Sequence, residues 1–96
     1  MNYILKDKKA IPCEDILKWA EWLENADRVV KKTKTNKEVK VSTVFLGIDH
    51  AYGGGEPLLF ETMVFGGKLD QECDRYSTWE EAEQGHKKMV DIVKAS

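Results

Sequence analysis

Hydrophobic and polar positions change period several times along this chain, and each change marks an element. From Val41 to Phe65 it reads VSTVFLGIDHAYGGGEPLLFETMVF. Two apolar runs rich in β-branched and aromatic residues flank a glycine triplet, the pattern of a hydrophobic β-hairpin. Strands are expected over 38–49 and 57–66. Upstream, RVVKKTK (28–34) begins with valines and then alternates Lys and Thr, a third strand. Thr35-Asn36-Lys37 joins it to the next, since Asn tolerates positive φ. Three consecutive strands on short connections form an antiparallel meander. Over 13–25 the period is helical. Ile16, Trp19, Ala20 and Leu23 recur at i, i+3, i+4, i+7, one buried face widened by Leu17 and Trp22. Pro12 is expected to stop extended structure and open this helix. Thr78 as N-cap, with Glu81 three residues on, is a capping box that starts the last helix. Ala82, His86, Met89 and Val93 form its inward face, adjoined by Trp79, Val90 and Ile92. Residues 3–6 read as a short edge strand and 71–76 as a loop. The predicted fold is a single α+β domain, 1–96, in the order β-α-β-β-β-α. It is an antiparallel three- to four-stranded meander with two helices packed mainly on one face.

Centring the second hairpin on Gly54 sets Asp49 opposite Leu59 and Gly47 opposite Glu61. One face then carries Ser42, Val44, Leu46, Ile48 and His50 with Leu58, Phe60, Thr62 and Val64, and should meet the helices. The other carries Thr43, Phe45, Gly47 and Asp49 with Leu59, Glu61, Met63 and Phe65. Slipping the register by one residue exchanges these faces. Phe45, Met63 and Phe65 on an uncovered face would form an apolar patch, a common interaction site, so a homodimer or a partner protein is expected to bury it.

Composition narrows the function classes. Fifteen Lys and Arg against seventeen Asp and Glu give a net charge of −2. That balance argues against general nucleic-acid binding. No apolar run reaches the roughly 20 residues of a membrane span, and the first residues lack the apolar core of a signal peptide. A cytoplasmic protein is expected. Cys13 and Cys73 are read as free thiols in a reducing compartment.

The candidate chemistry lies in polar residues set among apolar strands. Asp49 and Glu61 come out diagonal, about 7–8 Å apart. Paired carboxylates do acid–base work or hold a cation; equally, they pair with Arg75 and Arg28. His50 and His86 form an acid–base candidate with Asp49, against the plainer reading of hydrogen-bonded structural histidines. Two histidines do not make the three or four converging ligands of a metal site, so no metal is expected. Arg75 precedes a helix N-terminus, where anions are attracted and an Arg can clamp one. Gly85 in mid-helix costs about 1 kcal/mol and marks a close approach or room for a ligand. Gly53-Gly54-Gly55 lacks the following helix and Lys-Ser/Thr of a phosphate loop and reads as a hairpin tip. Asp49, His50, Glu61, Arg75 and His86 are together the candidate ligand-binding set. No catalytic residue and no cofactor are assigned.

The blocks VSTVFLGIDH, GGG, PLLFETMVFGG and DRYSTWEEAEQGH, with a Trp-x-x-Trp helix before DRVV, resemble a group of small proteins of tailed bacteriophages and prophages. The resemblance covers most of the chain. It implies expression inside an infected bacterial cell and transfers no catalytic residues. The expected function is that of a small binding protein acting there on a host protein or a small anionic metabolite such as a nucleotide signal. The alternatives are a small hydrolase using Asp49, Glu61 or His50, and a minor virion or assembly component.

Overall fold

The computed structural model describes residues 1–35, 38–51 and 54–96. Its elements are β1 (Tyr3–Lys6), β2 (Lys9–Pro12), α1 (Ile16–Asn25), β3 (Val29–Lys34), β4 (Lys40–Phe45), β5 (Phe60–Phe65), β6 (Cys73–Tyr76) and α2 (Trp79–Ala95). Strands β3-β4-β5-β6 form an antiparallel sheet in sequence order, and β1-β2 form a separate antiparallel hairpin. The fold is α+β, with β2 and β6 added to the expected order. No described helix is long and apolar enough to cross a membrane. Parts of the expected turn at 35–37 and of the glycine tip (Asn36, Lys37, Tyr52, Gly53) lie outside the described residues.

Pro12 does not open α1. It ends β2 opposite Tyr3, at a strand terminus where a missing N–H is tolerated. The helix is started instead by Asp15, whose carboxylate accepts from the amides of Leu17 (3.0 Å) and Lys18 (3.2 Å). The segment 71–76 is not all loop. Cys73–Tyr76 pairs along β5, with Arg75 opposite Glu61 and Tyr76 opposite Phe60.

The β4–β5 register differs from the one centred on Gly54. Glu61 stands opposite Val44 rather than Gly47, and Thr43 opposite Thr62, a slip of three residues. An odd slip exchanges the faces of one strand relative to the other. Val41, Thr43 and Phe45 therefore join Phe60, Thr62 and Val64 beneath α2. Ser42 and Val44 join Glu61, Met63 and Phe65 on the opposite face. Phe45 is completely buried, so it belongs to the core and not to an exposed patch.

The core has two parts. Val39, Val41 and Val64 pack with Met89, Val90 and Val93 of α2. Phe45, Leu59, Phe60 and Ala82 form the second, against which Tyr3, Leu5, Ala10, Trp22 and Trp79 pack. Edge-to-face rings tie this second part together, Trp22 on Phe45 at 5.7 Å and Trp79 on Phe60 at 6.3 Å. The β1-β2 hairpin and α1 thus meet the sheet at its Phe45 end. Helix α1 contains no fully buried residue. Trp19, Trp22 and Leu23 are half-buried as the periodicity predicts, but Ile16 and Leu17 are 60% and 78% exposed. The Trp19 indole pins the helix by hydrogen bonds, donating to the carbonyls of Tyr3 and Gly47, 3.1 Å each. Leu23 comes within 2.9 Å of where a side chain on Gly47 would begin, so that glycine admits the helix and leaves no depression for a ligand.

Candidate functional site

The five residues singled out from sequence do not converge. Glu61 and Arg75 meet, Oε2 to Nε at 2.9 Å, across the β5–β6 pair. His86 lies on the other side of the sheet, under α2. Asp49 closes its own loop, accepting from the amides of Ala51 (2.7 Å) and Leu58 (3.0 Å). These two bonds hold its carboxyl below the usual carboxylate range, against a smaller opposing effect of burial. His50 is half-exposed and donates its amide to the Leu58 carbonyl at 3.0 Å. Among the described residues no three His, Cys, Asp or Glu side chains gather as metal ligands.

His86 belongs to a buried polar belt. Its Nδ1 lies 2.7 Å from the Thr43 hydroxyl and its Nε2 2.8 Å from the Thr33 hydroxyl. The Thr43 hydroxyl bonds that of Thr62, and Thr62 bonds Tyr76. The belt crosses β3, β4, β5 and β6 between the two apolar clusters. Burial, and then the charge of Lys31, push the His86 imidazole below its ordinary value. A neutral imidazole donates from one nitrogen and accepts at the other, so a chain of hydroxyls running in either direction satisfies it. Both ring nitrogens are occupied by the fold.

A concave site of about 460 Å³ opens instead where the β1-β2 hairpin meets the start of α2, within the usual size range of small-molecule sites. Tyr3, Leu59, Phe60 and Trp79 give it an apolar and aromatic lining, and Lys8, Lys9, Glu56 and Glu80 supply charge. The hairpin turn that carries Lys8 is strained. Lys6 pairs with Lys9, leaving Asp7 and Lys8 as the loop, and both have positive φ (51° and 68°). A two-residue turn with two positive φ values favours Asn-Gly; a Lys in that conformation costs about 1–2 kcal/mol. The strained turn sets the Lys8 ammonium 5.6 Å from the centre of the Trp79 ring.

The other side of the site is the first turn of α2. The Thr78 hydroxyl accepts from the Glu81 amide at 3.1 Å, and the Glu81 carboxylate accepts from the Thr78 amide at 3.1 Å. This reciprocal cap, expected from sequence, fixes Trp79 at the helix start. The amides of Trp79 and Glu80, as the first in the helix, have no intrahelical acceptor. The Trp79 indole N–H is shut off from solvent and, among the described residues, has no hydrogen-bond partner; an unmet buried donor costs about 1–3 kcal/mol. The described lining contains neither histidine nor cysteine. The arrangement suits recognition of a flat molecule carrying an anionic group: ring surface for the body, ammonium groups and open amides for the charge.

Sequence reasoning missed Lys8, Lys9 and the pocket role of Trp79. The available signal was the pair of short apolar runs YIL and AI around Lys6-Asp7-Lys8-Lys9, an Asp-containing turn between runs. No protein-family model, curated protein or solved structure matches the chain.

Proposed function

We propose that this protein is a small binding protein whose ligand is a nucleotide-like metabolite, seated between the β1-β2 turn and the first turn of α2. The observation that carries the reading is the strained Asp7-Lys8 turn, which holds an ammonium over the Trp79 ring at the mouth of a ligand-sized cavity. Backbone strain persists only where the surroundings enforce it and gathers at ligand clamps. The base would lie along Trp79 and Tyr3, and the phosphate would meet Lys8, Lys9 and the open amides of α2. The resemblance to phage proteins supports a role inside an infected bacterial cell. Two of the three residues of the hydrolase alternative are engaged by the fold: the Asp49 carboxylate accepts from two backbone amides and Glu61 is held by Arg75.

A thermal-shift panel of nucleoside monophosphates and the matching nucleosides tests this. A ligand at a hundred times its Kd stabilises the fold by about 2.7 kcal/mol. At least one monophosphate should raise Tm, its nucleoside should not, and Lys8→Ala should abolish the shift. A panel with no shift, or one indifferent to Lys8→Ala, contradicts the reading.

A further inference from the structure

The protein's net charge hides a segregation that the register exposes. The bulge between Val29 and Lys31 turns Lys32 and Lys34 of β3 toward the face opposite α2. On that face Lys34 lies directly opposite Lys40, and Lys40 directly opposite Phe65. In the neighbouring row Lys32 precedes Ser42 and Met63. Glu61, a carboxylate on this face, is engaged by Arg75. Among the described residues no carboxylate pairs with Lys32, Lys34 or Lys40. Phe65 is 44% exposed, and the Lys40 ammonium stands 5.6 Å from its ring centre.

Like charges directly opposite one another destabilise a sheet. Lysines on an edge strand guard it against edge-to-edge pairing, which accounts for Lys32 and Lys34 in β3. It does not account for Lys40, which sits in β4, between β3 and β5. We propose that this face docks single-stranded nucleic acid. The three ammonium groups meet successive phosphates and relieve the Lys34–Lys40 repulsion. Phe65, one strand spacing of about 4.8 Å from Lys40, offers a ring on which a base stacks, with Met63 beside it. A positive track with an adjoining aromatic platform is the general arrangement for unpaired strands; a duplex hides its base faces. A membrane surface would ask for a larger apolar area than one Phe and one Met provide. Two copies of this chain joined face to face would bring lysines against lysines.

Fluorescence anisotropy with a labelled oligothymidylate, from about 50 to 200 mM salt, tests the proposal. Binding should weaken steeply with salt. The double change Lys34→Gln/Lys40→Gln should lower affinity about tenfold or more and reduce the log–log salt slope by roughly 1.4, two phosphates at about 0.7 each. Phe65→Ser should weaken binding with the slope unchanged. Lys8→Ala should leave it unaltered, which separates this face from the pocket near α2. Circular dichroism checks that the variants fold, and Lys32→Gln carries the same slope test if the double variant does not. No binding at the lowest salt overturns the proposal, as does parent-like binding by the lysine variants. Preference for duplex DNA or for phosphatidylserine vesicles over the single strand overturns it too.

Discussion

The ring of Tyr76 occupies the space that a side chain at Gly85 would need. A Cβ on Gly85 would run into Cε1, Cζ and the hydroxyl of Tyr76. The mid-helix glycine read from sequence as a close approach is therefore where α2 comes down on β6. It also lets the Tyr76 hydroxyl reach Thr62 and end the polar belt.

Gly85→Ala should destabilise the protein. Alanine gains about 1 kcal/mol in helix propensity, but displacing the Tyr76 ring costs about 1–3 kcal/mol. A net loss of up to about 2 kcal/mol is expected in urea titration. A raised midpoint would mean that Tyr76 does not pack there.

His86 sets a pH window. Its folded value lies below the ordinary 6.5, because burial disfavours the imidazolium. Above 6.5 both states are neutral and stability does not depend on this group. Below it the unfolded chain takes a proton that the folded chain refuses, so stability falls as pH drops from about 7 toward the folded value. Asp49 acts separately, at and below its ordinary 3.8. His86→Gln should remove the loss that sets in below about pH 7. An unchanged pH profile in that variant contradicts the buried-belt description.

Phe45 and Leu17 should behave oppositely under truncation. Phe45 is fully enclosed and Leu17 is 78% exposed. Phe45→Ala should cost about 3–5 kcal/mol, and Leu17→Ala should change stability by no more than about 0.5 kcal/mol. Similar losses in chemical denaturation would restore the expectation that α1 packs its Leu17 side on the face of the sheet.

Much of the fold is legible because local signals agree. The Thr78–Glu81 cap and the Ala82, His86, Met89, Val93 stripe define α2 without help from the rest of the chain. The β4–β5 register is not legible, because both faces of VSTVF offer an apolar set. Phe45 pairs with Phe60 and Leu46 donates to Leu59 at 2.7 Å, three residues off a Gly54-centred register, whereas His50 donates to Leu58 at 3.0 Å, in line with it, so the register changes between Leu46 and His50. Strand β6, CDRY, has no apolar alternation to announce it. The Glu61–Arg75 contact was foreseen as an alternative to ligand binding, and the structure forms it. The pocket was out of reach because it joins residues 3–10, 56–60 and 77–80, which no local pattern connects.

Replacing Asp7-Lys8 by Asn-Gly should separate stability from binding. The new turn prefers the positive φ values that the old one endures. The loss of the Lys8–Trp79 contact offsets part of the gain, about 0.5–1 kcal/mol. Stability should stay level or rise by up to about 1 kcal/mol by urea titration, while nucleotide-induced stabilisation disappears. A less stable variant that still responds to nucleotide would show that the turn is not a clamp.

Contact between ligand and Trp79 is tested most directly by the indole resonances. The chain has three tryptophans, Trp19, Trp22 and Trp79. In proton–nitrogen correlation spectra titrated with the nucleoside monophosphate that gives the largest thermal shift, the Trp79 indole peak should move saturably. The backbone amides of Ser77 to Glu80 and of Lys8 and Lys9 should follow the same curve, and the Trp19 indole, held by Tyr3 and Gly47, should stay in place. A still Trp79 peak, with shifts confined to Trp22 or to the Lys34–Lys40–Phe65 face, would contradict the account.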